Sequence, residues 1–133
     1  MKASELMVGD WVFTRGQIEQ VTSIYDGYIC TEHYEYSHDY YFEPIPITPE
    51  ILEKNGFMYC KSDGGFCLPT TISYGNWDVD VILFNVTDEY RNNQLHIGTP
   101  DDSITILHLM ECNHVHELQH ALRLCGIEKE IVL

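Results

Sequence analysis

The residues with the most definite chemical spacing are His116-Glu117-Leu118-Gln119-His120, a literal H-E-x-x-H. On a helix, side chains four apart share a face. The two imidazoles can then hold one zinc ion while the glutamate takes a proton from a zinc-bound water. At 3.6 residues per turn His116 and His120 lie about 40° apart, away from the stripe that runs through Leu118. Catalytic zinc also needs a third protein ligand. The extended motif wants glycine at position 123 and histidine at position 126, where this chain has Arg123 and Gly126. Glu128 and Glu130 are the remaining downstream donors. Arg123 falls on the histidine face, and its charge opposes a cation there. The plainer reading is a solvated polar helix face, because a five-residue motif with two free positions also arises by chance.

Other donors surround this motif. His108, Cys112 and His114 precede His116 and His120 closely, and Cys60 and Cys67 flank a turn that could bring them into the set. Structural zinc takes four ligands, usually through C-x2-C knuckles. Here six residues separate Cys60 from Cys67, so core cysteines and surface histidines are the simpler expectation. Asp78-Val79-Asp80 puts two carboxylates on one face of a strand, an arrangement that holds metal in some nucleases and glycosyltransferases. No lysine partner follows, and a polar strand face explains the pair. The chain has no P-loop, no G-x-G-x-x-G and no G-x-S-x-G.

The elements that must position these residues are mostly strands. Trp11 to Thr14, Gln17 to Tyr25 and Tyr28 to Thr31 read as short strands joined by Arg15-Gly16 and Asp26-Gly27 turns. Such strands suggest an SH3-like small barrel or curled sheet. Residues 32–43 are aromatic and acidic. Either one tyrosine face packs on the core, or Tyr34, Tyr36 and Tyr40 form a contact patch. Pro44-Ile45-Pro46-Ile47 is an extended connector. Thr48 caps a short helix over 49–55 with Pro49 at its first position and Gly56 as terminator.

Further strands are expected at Met58 to Lys61, Phe66 to Leu68, Thr71 to Tyr74, Trp77 to Val86, Gln94 to Ile97 and Ile104 to Leu109. Turns fall at Ser62-Asp63-Gly64-Gly65 and Tyr74-Gly75-Asn76. Val81 to Phe84 is apolar on both faces, as in a central strand covered by a helix. A second helix runs from about Asn113 to Leu124 or Cys125. Its Val115, Leu118, Ala121, Leu122 and Cys125 cover an arc of about 120°, and Gly126 ends it. Glu130 to Leu133 is a candidate last strand. Strand runs with isolated helices make the fold α+β, mostly antiparallel β with two helices. The 133 residues predict a single domain, with a natural subdivision into 1–47 and 48–133.

The net charge is −14, from 21 acids against 7 bases. Direct nucleic-acid binding depends on Lys and Arg neutralising phosphates, so that class is disfavoured, as is an anionic membrane surface. The five cysteines are odd in number and irregularly spaced. With no long apolar run near Met1, no signal peptide is expected. Free thiols and a cytoplasmic location follow.

Three stretches together resemble a known family. They are Met1-Lys2-Ala3-Ser4-Glu5-Leu6 with Val8-Gly9-Asp10-Trp11-Val12; Ile45-Pro46-Ile47-Thr48-Pro49-Glu50-Ile51-Leu52 with Gly56-Phe57; and Val115-His116-Glu117-Leu118-Gln119-His120-Ala121-Leu122. The set resembles a family of small uncharacterised proteins of Bacteroidales genomes, often in phage-like or mobile regions. That family has no assigned activity. Its members close with a Val-His-x-Leu-Gln pattern, often with glutamine at the position of Glu117 and asparagine at that of His120. The resemblance therefore implies that H-E-x-x-H is incidental, and that Val115, His116, Leu118 and Gln119 serve packing.

The leading functional expectation is a non-enzymatic accessory protein that binds another protein, with homo-oligomers allowed and no cofactor. One alternative is a zinc hydrolase using His116, His120 and Glu117. Another is an acidic nucleic-acid mimic that inhibits a basic enzyme through spaced carboxylates.

Overall fold

Two dipeptides shape the first sheet. Arg15-Gly16 and Asp26-Gly27 all take positive φ (53° and 76°, 46° and 81°), which is the backbone of a two-residue type I′ hairpin turn. A computed structural model of the chain, describing residues 1–72, 76–86 and 92–133, places the strands accordingly. They are β1 (Trp11–Thr14), β2 (Gln17–Tyr25), β3 (Tyr28–Thr31) and a two-residue β4 (Glu35–Tyr36). These form one antiparallel sheet in sequential order, with Thr14 opposite Gln17 and Tyr25 opposite Tyr28. A single bridge between Phe13 and Glu43 lies on the outer side of β1, and the described strands do not close into a barrel.

The chain forms two compact units, one of Met1–Ile45 with His114–His116 and the other of Pro46–Asn113 with Glu117–Leu133. The first is packed around Val12, Val21, Ile29, Tyr36 and Phe42, joined by Met1, Ala3 and Leu6 from a 3-10 turn at its start. The rings of Tyr36, Tyr40 and Phe42 meet at centroid distances of 4.6 to 5.0 Å, within the range of favourable tilted aromatic pairs. Of residues 32–43, Tyr36 and Phe42 therefore belong to this core, with Tyr40 packed against it.

The second unit opens with α1 (Pro49–Lys54). The Thr48 hydroxyl accepts from Ile51 N–H at 3.3 Å, as an N-cap should. At the other end Gly56 takes φ 88°, Gly56 N–H donates to Glu53 O, and Phe57 N–H donates to Leu52 O. This is a Schellman closure. A five-stranded antiparallel meander follows: β5 (Met58–Cys60), β6 (Gly65–Ile72), β7 (Trp77–Phe84), β8 (Gln94–Gly98) and β9 (Thr105–Glu111). β7 is central, as its two-sided apolar run predicts. Val79, Val81 and Leu83 are buried, while Asp80, Ile82 and Phe84 on the other face are half-buried. The helix α2 (Val115–Leu124), whose residues from Glu117 on belong to this unit, buries Leu118, Ala121 and Leu122. It closes like α1, with Gly126 N–H on Arg123 O and Ile127 N–H on Leu122 O.

Three expectations are revised, and a fourth is only partly covered by the described residues. The expected strands Phe66 to Leu68 and Thr71 to Tyr74 are joined: β6 runs from Gly65 through Pro69 to Ile72, and residues 73 and 74 lie outside the described residues. β5 pairs only with Gly65 to Cys67, so Pro69 lies where one side of β6 has no neighbour and needs no N–H. The Tyr74-Gly75-Asn76 turn falls partly outside the described residues. The second helix begins at Val115, not Asn113, because Asn113 is engaged in extended pairing: its carbonyl accepts from Ile47 N–H and its side chain from Asn93 N–H. Glu130 to Leu133 is not a strand. Two side-chain amides replace a neighbouring backbone. Asn55 both donates to Val132 O and accepts from Val132 N–H at 2.8 Å, while Gln119 donates to Lys129 O and accepts from Ile131 N–H. Among the described residues no helix is long and apolar enough to cross a membrane.

Candidate functional site

Among the described residues, the β5–β6 hairpin gathers a set of three metal-binding donor atoms. Its register pairs Met58 with Cys67 and Cys60 with Gly65, so the two cysteines lie diagonally on one face. The turn between them folds back because Asp63 N–H and Gly64 N–H both donate to Cys60 O, at 3.1 and 2.9 Å. That brings the Asp63 carboxylate to 3.5 Å from the Cys67 sulfur, which donates to it. The Cys60, Asp63 and Cys67 donor atoms all lie within 4.8 Å of one another. Cys67 is buried, Cys60 half-buried and Asp63 exposed, so the set opens to solvent on the aspartate side. Gly65, at the start of β6, lets this strand lie close against β7. A Cβ there would sit 2.5 Å from the Leu83 carbonyl oxygen of β7.

The local field is negative. Burial, then Cys60 and Asp63, pushes the Cys67 thiol up. Burial, then the charges of Asp63, Asp102 and Asp78, pushes the Asp80 carboxyl up. Asp78 and Asp80 do share a strand face as their spacing predicts, and Asp78 accepts a hydrogen bond from Thr71 at 3.0 Å.

The H-E-x-x-H residues do lie on one helix, α2. Glu117 and His120 are half-buried, but His116 is buried, unlike the solvated histidine the plainer sequence reading expects. Its ring stacks on that of His114 at 5.9 Å. Glu130, a candidate third ligand, is engaged by Arg123 at 3.2 Å. Among the described residues no third donor converges with His116 and His120 within the reach that unites Cys60, Asp63 and Cys67. The wider cluster is also dispersed. His108 lies on β9 beside His96, with Nδ1 atoms 3.3 Å apart. Cys112 is fully buried, its thiol pushed up to about 12 by burial and then by Glu117.

The three tyrosines have different roles. Tyr36 is a core residue whose hydroxyl donates to the buried Glu19 at 2.8 Å. Burial, then that bond, pushes its hydroxyl up to about 12. Tyr40 is half-buried and shares a 2.7 Å hydrogen bond with Thr14. Tyr34 presents its ring outward, with the Arg15 guanidinium 4.1 Å from the ring centre. Of this segment, Tyr34 and Tyr41 are the rings exposed for contact.

Sequence reasoning missed the character of β9. It is the last strand of its sheet, and Ile106, Leu109 and Met110 on it, with Ile104 just before it, remain 38–46% exposed. Two irregularities interrupt its pairing with β8, and Leu109 takes φ 49°. Bulges of this kind twist an edge strand away from simple strand addition. The signal in the sequence was a run, Ile104 to Met110, whose apolar residues do not alternate with polar ones. No protein-family model, curated protein or solved structure matches the chain.

Proposed function

We propose that this chain is a non-enzymatic binding or accessory protein whose partner is another protein. We place its N-terminal unit among SH3-like small barrels and its context in phage-like or mobile regions. The observation that supports the binding role is β9, an edge strand with three large exposed apolar side chains, Ile106, Leu109 and Met110, and a fourth, Ile104, just before it. Singly exposed apolar residues are ordinary, but a contiguous set marks a contact surface. The bulges favour a partner that grips side chains over one that adds a strand. The charge of −14 favours a partner with basic residues around an apolar centre. The Phe13–Glu43 bridge supports the barrel reading, since it joins the segment after β4 to the free side of β1.

A photo-crosslinking amino acid at Ile106 tests the surface, with the same probe at Tyr34 and at exposed Glu50 for comparison. A discrete adduct from position 106 that disappears in Met110→Lys is expected. An adduct of twice the chain mass would identify the partner as a second copy. Identical products from positions 106 and 50 would remove β9 as a binding surface.

A further inference from the structure

We propose that Cys60, Asp63 and Cys67 form a three-ligand site for a thiophilic divalent cation of the zinc type, with water completing the fourth position. The hairpin supplies two sulfurs and one carboxylate oxygen from a single local turn, with all donor atoms within 4.8 Å. Tetrahedral zinc, with Zn–S about 2.3 Å and Zn–O about 2.0 Å, requires S···S separations of about 3.8 Å and S···O separations of about 3.5 Å. The Cys67 sulfur and Asp63 oxygen are already 3.5 Å apart. Closing the set around an ion therefore asks for side-chain adjustment only, with the strand register unchanged. Binding replaces two thiol protons, which leave to solvent, with one dication. Two thiolates and one carboxylate then meet two positive charges. Soft sulfur donors select zinc and its congeners over calcium or magnesium, which prefer all-oxygen sets. The closing turn stays accessible because Asp63 is exposed, so the ion has an entry path.

The test is cobalt(II) and zinc titration of the full chain, kept reduced, with ultraviolet absorption and native mass spectrometry as readouts. One equivalent of cobalt should bind with an intense sulfur-to-metal charge-transfer band, and zinc should displace it. Cys60→Ser should weaken binding by more than about 100-fold, since loss of a mere supporting partner already costs 10–100-fold. Asp63→Asn should weaken it while retaining the band, and its exposed position keeps the fold intact. His116→Ala with His120→Ala should leave binding unchanged. A folded, reduced protein that takes up no metal would overturn the site. So would bound metal without the charge-transfer band, or binding that survives Cys60→Ser. If the thiols couple to each other with an oxidised dithiol while the reduced protein ignores metal, the site likewise falls.

Discussion

The helix α2 and the β5–β6 hairpin both concentrate metal-binding residue types, and they do so in opposite ways. In α2 the donors are consecutive in sequence and fit a known pattern, yet His116 is buried and no third donor joins it among the described residues. In the hairpin the donors are spread over eight positions and fit no pattern, yet the register converges them. A linear motif fixes only the angle between side chains on one element. A coordination site needs closure from a second direction, and a tight hairpin supplies that by folding its own chain back.

The contrast can be broken from either side. If α2 is chiefly a packing element, Leu118→Ala should have the largest effect on folding, about 2–5 kcal/mol, because Leu118 is buried to 1% exposure. Urea unfolding would measure this, and a loss below 1 kcal/mol would show that α2 is dispensable to the core. Gly65→Ala probes the hairpin. Its new Cβ must push against a backbone oxygen, so a loss of about 1–3 kcal/mol is expected, together with weaker cobalt binding as β6 shifts. Unchanged cobalt affinity in that variant would mean that the strand approach does not set the donor geometry. Cys60→Ser should be the mildest, below about 1 kcal/mol in the metal-free protein, since Cys60 is only half-buried. A larger loss would make that cysteine a structural residue.

What was legible in the sequence was local. The two type I′ turns fix β1 to β3, and Thr48-Pro49 with Gly56 fixes α1, because each signal lies within a few residues of its consequence. What was illegible depended on partners distant in sequence. Pro69 breaks a strand unless β5 is known to stop short of it. His116 is a polar residue on a helical wheel until its neighbours bury it. Gln119 looks like solvent-facing polarity until the amide meets Lys129 and Ile131. Cys60 and Cys67 carried the right chemistry, but their diagonal relation follows from a register no spacing rule states. The outward apolar face of β9 was readable as a strand and not as an edge.

The paired amides of Asn55 and Gln119 also set an order of events. Asn55 meets Val132 across 77 residues of chain, a contact that costs loop-closure entropy and cannot nucleate folding. On the ribosome, α1 and the meander emerge well before Val132 does. Until residues 129–132 dock, Gln119 lacks its bonds to Lys129 and Ile131 and Asn55 keeps its bond to Ile51 O without those to Val132, so this stretch is the late fastener of the unit.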